Sequence, residues 1–389
     1  MRASTFVVVL ALLAGVTGCE PALTPDPPGY DSEIRDWYDL HAIRGNLSGD
    51  FILMNDLDST TPGYAELASS AANQGQGWQP VGSADGGFMG TFDGRGYEVK
   101  DLYIRRPDES FVGLFGVVDD GGTIRNVGVV NAAVTGEWAV GVVAGGSRGD
   151  IIDCHSTGSV SGDDCVGGLV GGNAGSVGSS YSSAAVAGRW DVGGLVGCND
   201  SWGAVSRSYA SGDVVGEWAV GGVVGGNLGG TVVRSYSIAV VAGDDYVGGL
   251  VGDNQGNVSD SYSRGTVSGE WHVGGLVGYN DSGGSVSRCY ATGTVDGEWH
   301  VGGLVGANDG GAVSNSFWDV MGSGVEESDG GAGKTTVEIR AVATFADTGT
   351  EGLDQPWDIV PVAAGVTDSA CTWNIVDGQT YPFLSWQSL

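Results

Sequence analysis

The chain is short of cations. It has 16 Lys and Arg against 47 Asp and Glu, a net charge of −31, and only two lysines, Lys100 and Lys334. Such a surface repels phosphate backbones and anionic headgroups, which argues against nucleic-acid binding. Proline is scarce at 10 residues, and the glycines have no strict period of three, so a collagen-like rod is excluded. No 10–15-residue amphipathic pattern appears, which argues against a helical solenoid or a βαβ sheet. Six cysteines occur without CxxC or other metal-ligand spacing. The apolar run from about Phe6 to Val16 is too short to span a bilayer.

Glycine is abundant: 73 of 389 residues, roughly 19% against about 7% in average proteins. A hydrophobic content of 41% argues against disorder, so these glycines belong to ordered, turn-rich structure. The N-terminus, MRASTFVVVLALLAGVTGC, has Arg2 followed by a short apolar run and fits a secretory signal. Its end, Val16–Cys19 (VTGC), resembles the bacterial lipobox; the alternative is an ordinary signal peptide that contains a cysteine. The resemblance implies a signal peptide over 1–18, lipid attachment at Cys19 and a linker over 19–30. It implies an exported bacterial lipoprotein of the outer membrane or cell surface, touching the membrane only through its anchor.

The body of the chain repeats itself. The valine that opens each VGGLVG-like block falls at 112, 140, 166, 192, 220, 247, 273 and 301, spaced 28, 26, 26, 28, 27, 26 and 28. The variation arises between the asparagine of VGxN and the next valine, so one turn accepts insertions and the rest does not. Each unit is built of short, Gly-bounded, β-rich segments. About 27 residues with roughly three short strands closes one coil of a parallel β-helix. A β-propeller blade needs about 40 residues. The fold class expected is all-β: a parallel β-solenoid of 26–28-residue coils with an N-terminal helical cap and a C-terminal cap.

The unit at Val247–Gly265, VGGLVGDNQGNVSDSYSRG, resembles the GLUG repeat of bacterial surface and secreted proteins, and the likeness runs over 112–318. The flanks LSGDFILMNDLD (Leu47–Asp58), FMGTFDGRGYEVKDLYI (Phe88–Ile104) and NSFWDVMGSG (Asn315–Gly324) are similar to those of GLUG-containing proteins. The resemblance implies a parallel β-solenoid, often adhesin-like, and no single shared activity. Some relatives carry an HExxH zinc peptidase; none of His41, His155, His272 or His300 begins that motif here. The expected organisation is an N-terminal cap with first coils over 31–111, the repeats over 112–318 and a C-terminal cap over 319–389. Asp31–Arg44 suits a short helix with Asp31 or Ser32 as N-cap. GAGKTT (Gly331–Thr336) ends like a phosphate loop but lacks the first glycine, since position 328 is serine; it reads as a cap loop.

In a solenoid, equivalent residues stack into columns. Asn173, Asn199, Asn227, Asn254, Asn280 and Asn308 form one, suited to an amide ladder. Tyr181, Tyr209, Tyr236, Tyr262 and Tyr290, then Phe317, form an aromatic stack. Before each valine block lie an acidic column (Glu137, Asp163, Arg189, Glu217, Asp244, Glu270, Glu298) and a tryptophan column (Trp138, Asp164, Trp190, Trp218, Asp245, Trp271, Trp299). Stacked acids repel unless they are solvated or bound to a cation, for which Ca²⁺ is the candidate. Exposed indoles beside carboxylates suit sugar rings, while the plainer reading packs the indoles on one another with the acids in water. His272 and His300 share a column and are candidate metal ligands that lack a third donor. Cys154 and Cys289 share a column five coils apart. Cys165 precedes its strand and Cys198 follows the next coil's strand, an offset of seven strand residues or about 20 Å, far beyond disulfide reach, so no disulfide is expected among these four.

The acids recur along the chain instead of forming one unique cluster, and Arg207, Arg234 and Arg288 recur in one column. Repetition suits many weak contacts better than single-site chemistry. The expectation is therefore a non-catalytic, lipid-anchored, surface-binding or structural β-solenoid whose partner is a glycan or a protein and which needs no cofactor. The alternative is a carbohydrate-binding or polysaccharide-cleaving β-helix, which fold alone supports only weakly.

Overall fold

The computed structural model describes residues 31–387; the leader segment and Cys19 lie outside them. The repeats wind into a stack of eight like coils, in which the strands pair in parallel with their counterparts one coil on. The coils opening at Val166, Val192, Val220, Val247 and Val273 each contain five very short strands where the sequence suggested about three. In one coil these are Asp245–Gly248, Val251–Asn254, Asn257–Ser259, Tyr262–Ser263 and Val267–Ser268. They add to ladders of seven, eight, eleven and sixteen strands, the last containing both final strands of the coil. Register is held by identical residues: Val247 pairs with Val273, Val251 with Val277 and Val258 with Val286. The length variation is absorbed where it was expected. The two extra residues around Trp202 form an exposed turn, and Val177, Val205 and Val232 stay paired across it.

The Gly-Gly pair resolves the parity of VGGLV. Straight alternation would bury the two valines and expose the leucine. Instead the chain bends at Gly248–Gly249, so Val247 and Val251 lie on different sheets and Leu250 fills the corner; all three are fully buried. A methyl on Gly248 would overlap the carbonyl oxygen of Val251, so only glycine fits the bend. Each such buried aliphatic side chain contributes roughly 1.5–3 kcal/mol. The bend also lays the VGxN strand against the preceding strand: Gly278 packs on the backbone of Tyr246 and Val247, one coil below.

Both ends of the stack are covered. At the N-terminal side, Ser32–Ile34, Phe51–Leu53 and Thr91–Asp93 extend the eleven-stranded sheet outward. Ser32 is thus in a strand, and the helix starts later than expected. It spans Trp37–Ala42 and is capped by Asp36, whose carboxylate accepts from the Asp39 amide. The pairing of Ser32–Ile34 with Phe51–Leu53 uses backbone that a longer helix would have consumed. Trp37 packs edge-on against Trp78 beneath this cap. At the other end, Ser328 Oγ accepts from the amides of Leu304 and Val305, closing edge positions of the last coil. Ala332–Lys334, from the GAGKTT stretch, pairs with Phe317–Asp319, and Lys334 lies over the Phe317 ring. That stretch is sheet and cap.

The C-terminal segment also folds back along the flank. Its own small sheet (Ile359–Pro361, Trp373–Ile375, Phe383–Leu384) and Trp357, Phe345 and Ile339 cluster on Tyr262, Tyr290 and Phe317. The Tyr290 hydroxyl donates to the Pro382 carbonyl at 2.5 Å, and Trp386 reaches Tyr236 and the Arg234 carbonyl.

Candidate functional site

Three of the predicted columns are internal supports. The asparagines form a continuous ladder in which each Nδ2 donates to the next Oδ1: Asn173 to Asn199, then Asn227, Asn254, Asn280 and Asn308, all at 2.8–2.9 Å. Burial makes each of these amide bonds costly to break. The tyrosine rings stack at 4.8–5.0 Å from Tyr181 to Tyr290, with His155 continuing the stack at its lower end. Cys154 and Cys289 occupy a serine column. Ser180, Ser208, Ser235 and Ser316 in it each accept from the amide of the residue one coil below. Burial pushes both thiols up to about 12, so they are inert space-fillers.

The tryptophan and acidic columns emerge on one face. Trp138, Trp190, Trp218, Trp271 and Trp299 are 39–56% exposed. Only Trp271 and Trp299 stack on each other, at 5.5 Å. Asp164 and Asp245 interrupt the column, so Trp138 meets Phe111 edge-on and Trp218 leans on Tyr246. Beside them the acids are exposed at Glu137, Glu217, Asp244, Glu270 and Glu298. Arg189 bridges Asp163 at 3.2 Å and Glu217 at 3.3 Å, relieving repulsion at that end. From Glu217 through Asp244 and Glu270 to Glu298 four acids then follow in successive coils. Trp202, 87% exposed at the tip of the insertion turn, is an aromatic on the surface that column reasoning passed over because it occurs in one coil only.

His272 and His300 do stack, with ring centroids 4.9 Å apart. His272 is held by its neighbours: its Nδ1 lies 2.6 Å from Asp245 Oδ1, and the Tyr246 and Tyr279 rings pack edge-on against it.

The structure adds a feature that sequence columns concealed. The residue before each ladder valine has a left-handed backbone: Phe111, Ala139, Cys165, Asp191, Ala219, Tyr246, His272 and His300, with φ between 47° and 59°. Its side chain meets the third residue of VGxN one coil on. Tyr246 stacks on Tyr279 at 4.5 Å, Phe111 lies over Gly146, and Asp191 Oδ1 fills the space over Gly226. In the same seam Cys165 is bonded to Cys198, with Cα atoms 5.1 Å apart. This overturns the expectation of no disulfide among the four. That expectation assumed a straight strand between the two positions, whereas the glycine bend folds the second strand back against the first. While the flanking Val, Gly, Leu and Asn positions hardly change, this seam varies between Cys, Asp, Ala, Tyr and His. Its lower part opens as a cleft of about 390 Å³ lined by Phe111, Trp138, Asp164, Cys165, Asp191 and Cys198, among others. Burial, with Asp164, Asp253 and Asp200 nearby, pushes Asp191 up to about 7.

Residues 188–215 and 269–296 each match the GLUG motif. Halomucin of Haloquadratum walsbyi is 36% identical over 143 residues, 35% of this chain and 2% of that protein. A "Putative Gly-rich membrane protein" of Evansella cellulosilytica is 34% identical over 104 residues, 26% of this chain and 11% of that protein. The chain thus spans only a small part of the length of either relative. A solved structure titled a "putative immunoglobulin A1 protease from Bacteroides ovatus" overlays 73% of this chain and 84% of its own at 21% identity, with a TM-score of 0.46. The motif is thus matched in two coils of one continuous, in-register stack, and the chain carries GLUG repeats.

Proposed function

We propose that this protein is a non-catalytic surface solenoid, exported and held to the membrane through a lipid on Cys19, that binds a glycan along its tryptophan and carboxylate face. The observation that carries the reading is the row of half-exposed indoles at Trp138, Trp190, Trp218, Trp271 and Trp299, flanked by exposed acids. Indoles present flat apolar surface to the C–H face of a sugar ring, and carboxylates accept from its hydroxyls. Coil-to-coil strand spacing is about 4.8 Å, close to the length of one sugar residue, so an extended polysaccharide meets several such contacts at once. Individually weak contacts then sum through multivalency. The acids Glu217, Asp244, Glu270 and Glu298 give Ca²⁺ a place to bridge the chain and an acidic sugar. The relatives' printed names, a mucin-like name and a membrane protein, are in keeping with a surface role.

The test is a glycan array probed with the chain lacking residues 1–19, with and without Ca²⁺. Binding should be retained by the parent chain and fall at least about tenfold in Trp271→Ala/Trp299→Ala, a loss typical of removing stacked aromatic anchors. Binding that is indifferent to both indoles refutes the platform, and depolymerisation of any glycan refutes the non-catalytic reading. For the anchor, palmitate labelling should disappear in Cys19→Ser.

A further inference from the structure

The cleft in the seam holds an unusual donor set. Asp164 stands where most coils have tryptophan, and Cys165, Asp191 and Cys198 stand at seam positions. One ligand atom from each of the four lies within 4.8 Å of every other, and this is the one such group of three or more among the described residues. Among the described residues no cation pairs with either carboxylate, and the buried Asp164 Oδ1 has no hydrogen-bond partner. Asp191 Oδ1 points over Gly226, where a side chain at position 226 would displace it. Arg148, the basic residue at the rim, is engaged with Asp119. Two partly buried carboxylates held this close repel one another, and a metal ion between them relieves that repulsion. With the disulfide closed, the sulfurs are poor donors. With it open, two thiolates and two carboxylates give the four-donor count of a closed zinc site.

We propose that Asp164, Cys165, Asp191 and Cys198 form a redox-gated binding site for a zinc-class divalent cation, empty when the disulfide is closed and occupied when it is reduced. An external dithiol supplies the two electrons. Its thiolate attacks one sulfur of the Cys165–Cys198 bond, its second thiol resolves the mixed disulfide, and the external dithiol leaves as a disulfide while Cys165 and Cys198 become thiols. The cation then replaces the protons of the two thiols, and of Asp191 where that carboxyl is protonated, releasing them to solvent. Because the two strands that carry these residues are held by the ladders on either side, opening the bond leaves the donors near one another. The site borders the glycan face, since Asp164 stands in the tryptophan column and Trp138 lines the same cleft, but metal binding is read without any glycan, so the two readings fail separately.

The experiment uses the chain lacking residues 1–19 in a Cys371→Ser background, which removes the accessible free thiol. Co²⁺ is titrated into the oxidised and the dithiol-reduced protein, followed by competition with Zn²⁺. The reduced form should bind one Co²⁺ with thiolate-to-metal charge-transfer absorption that Zn²⁺ abolishes, and the oxidised form should show none. Cys198→Ser should abolish the absorption, and Asp191→Asn should weaken Zn²⁺ about tenfold or more by removing one of four ligands. Asp191→Asn keeps both cysteines, so its disulfide, checked by mass spectrometry, verifies that the seam has folded. Cys154→Ser/Cys289→Ser should leave binding unchanged. A reduced, folded chain that gives no charge-transfer band overturns the proposal, as does a band that survives Cys198→Ser or affinity that ignores Asp191→Asn.

Discussion

The asparagine ladder offers the sharpest test of how the coils are held together. Asn227 sits in its middle, fully buried, accepting from Asn199 at 2.9 Å and donating to Asn254 at 2.8 Å. Asn227→Ala removes both bonds. The Asn199 Nδ2 keeps only long contacts to the Gly203 and Thr231 carbonyls, at 3.3 and 3.4 Å. The Asn254 Oδ1 keeps one bond from the Gly256 amide, also 3.3 Å. A buried polar group left unsatisfied costs about 1–3 kcal/mol, and two groups each partly compensated give a loss of about 2–4 kcal/mol. Asn308 ends the ladder, is partly exposed, and only accepts, from Asn280; Asn308→Ala should cost about 1 kcal/mol. Asn227→Asp separates hydrogen bonding from size. Its carboxylate still accepts from Asn199 but turns a second acceptor toward Asn254. At neutral pH it should be worse than alanine. An acid whose folded pKa is raised destabilises fully above that pKa and not at all below its unfolded value, so the aspartate penalty should shrink on acidification. Urea unfolding gives the totals, and native-state hydrogen exchange in the coils around Asn227 localises them, which matters because long repeat arrays need not unfold as one unit. Equal losses at positions 227 and 308, or an aspartate penalty that is flat with pH, would refute the ladder as a buried, directional network.

Three further outcomes follow from the same geometry. Cys165→Ala/Cys198→Ala opens a cross-link of separation 33 and should lower stability by about 3–4 kcal/mol on the loop-entropy relation; Cys154→Ser, which restores the serine of its column, should be close to neutral in the same denaturation assay. Gly248→Ala puts a methyl on the Val251 carbonyl at the bend and should cost several kcal/mol, about 3 or more, seen as a fall in the denaturation midpoint. Burial, with Asp281 nearby, raises the Asp253 carboxyl, so the native state holds that proton more tightly than the unfolded chain. Asp253→Asn should therefore stabilise the protein at neutral pH, with a gain that fades as pH falls toward the ordinary carboxylate value, measured as Tm across pH.

Much of this protein is determined by sequence alone. A repeat whose length varies only at one turn forces in-register stacking, because any other arrangement would bring valines opposite polar residues. That is why the coil period, the asparagine ladder and the tyrosine stack could be read directly: each is a relation between identical residues one coil apart. The number of strands per coil was not legible, since five strands of two to five residues carry too little alternation to be separated from their turns. Asp36 rather than Asp31 caps the first helix because Ser32–Ile34 is drawn into a sheet by Phe51–Leu53, a partner distant in sequence.

What only the tertiary structure decided is the meeting of different columns. The Gly-Gly bend turns one apparent strand into two strands packed face to face, and left-handed residues at the end of each GEWxV-type segment aim their side chains into the seam so formed. Cys165 meets Cys198, Tyr246 meets Tyr279, and Asp191 comes to lie over Gly226 beside the two cysteines. Periodicity reports which residues stack on their copies. It carries no information about which unlike positions a bend brings together, and in this protein that is where the varied side chains converge.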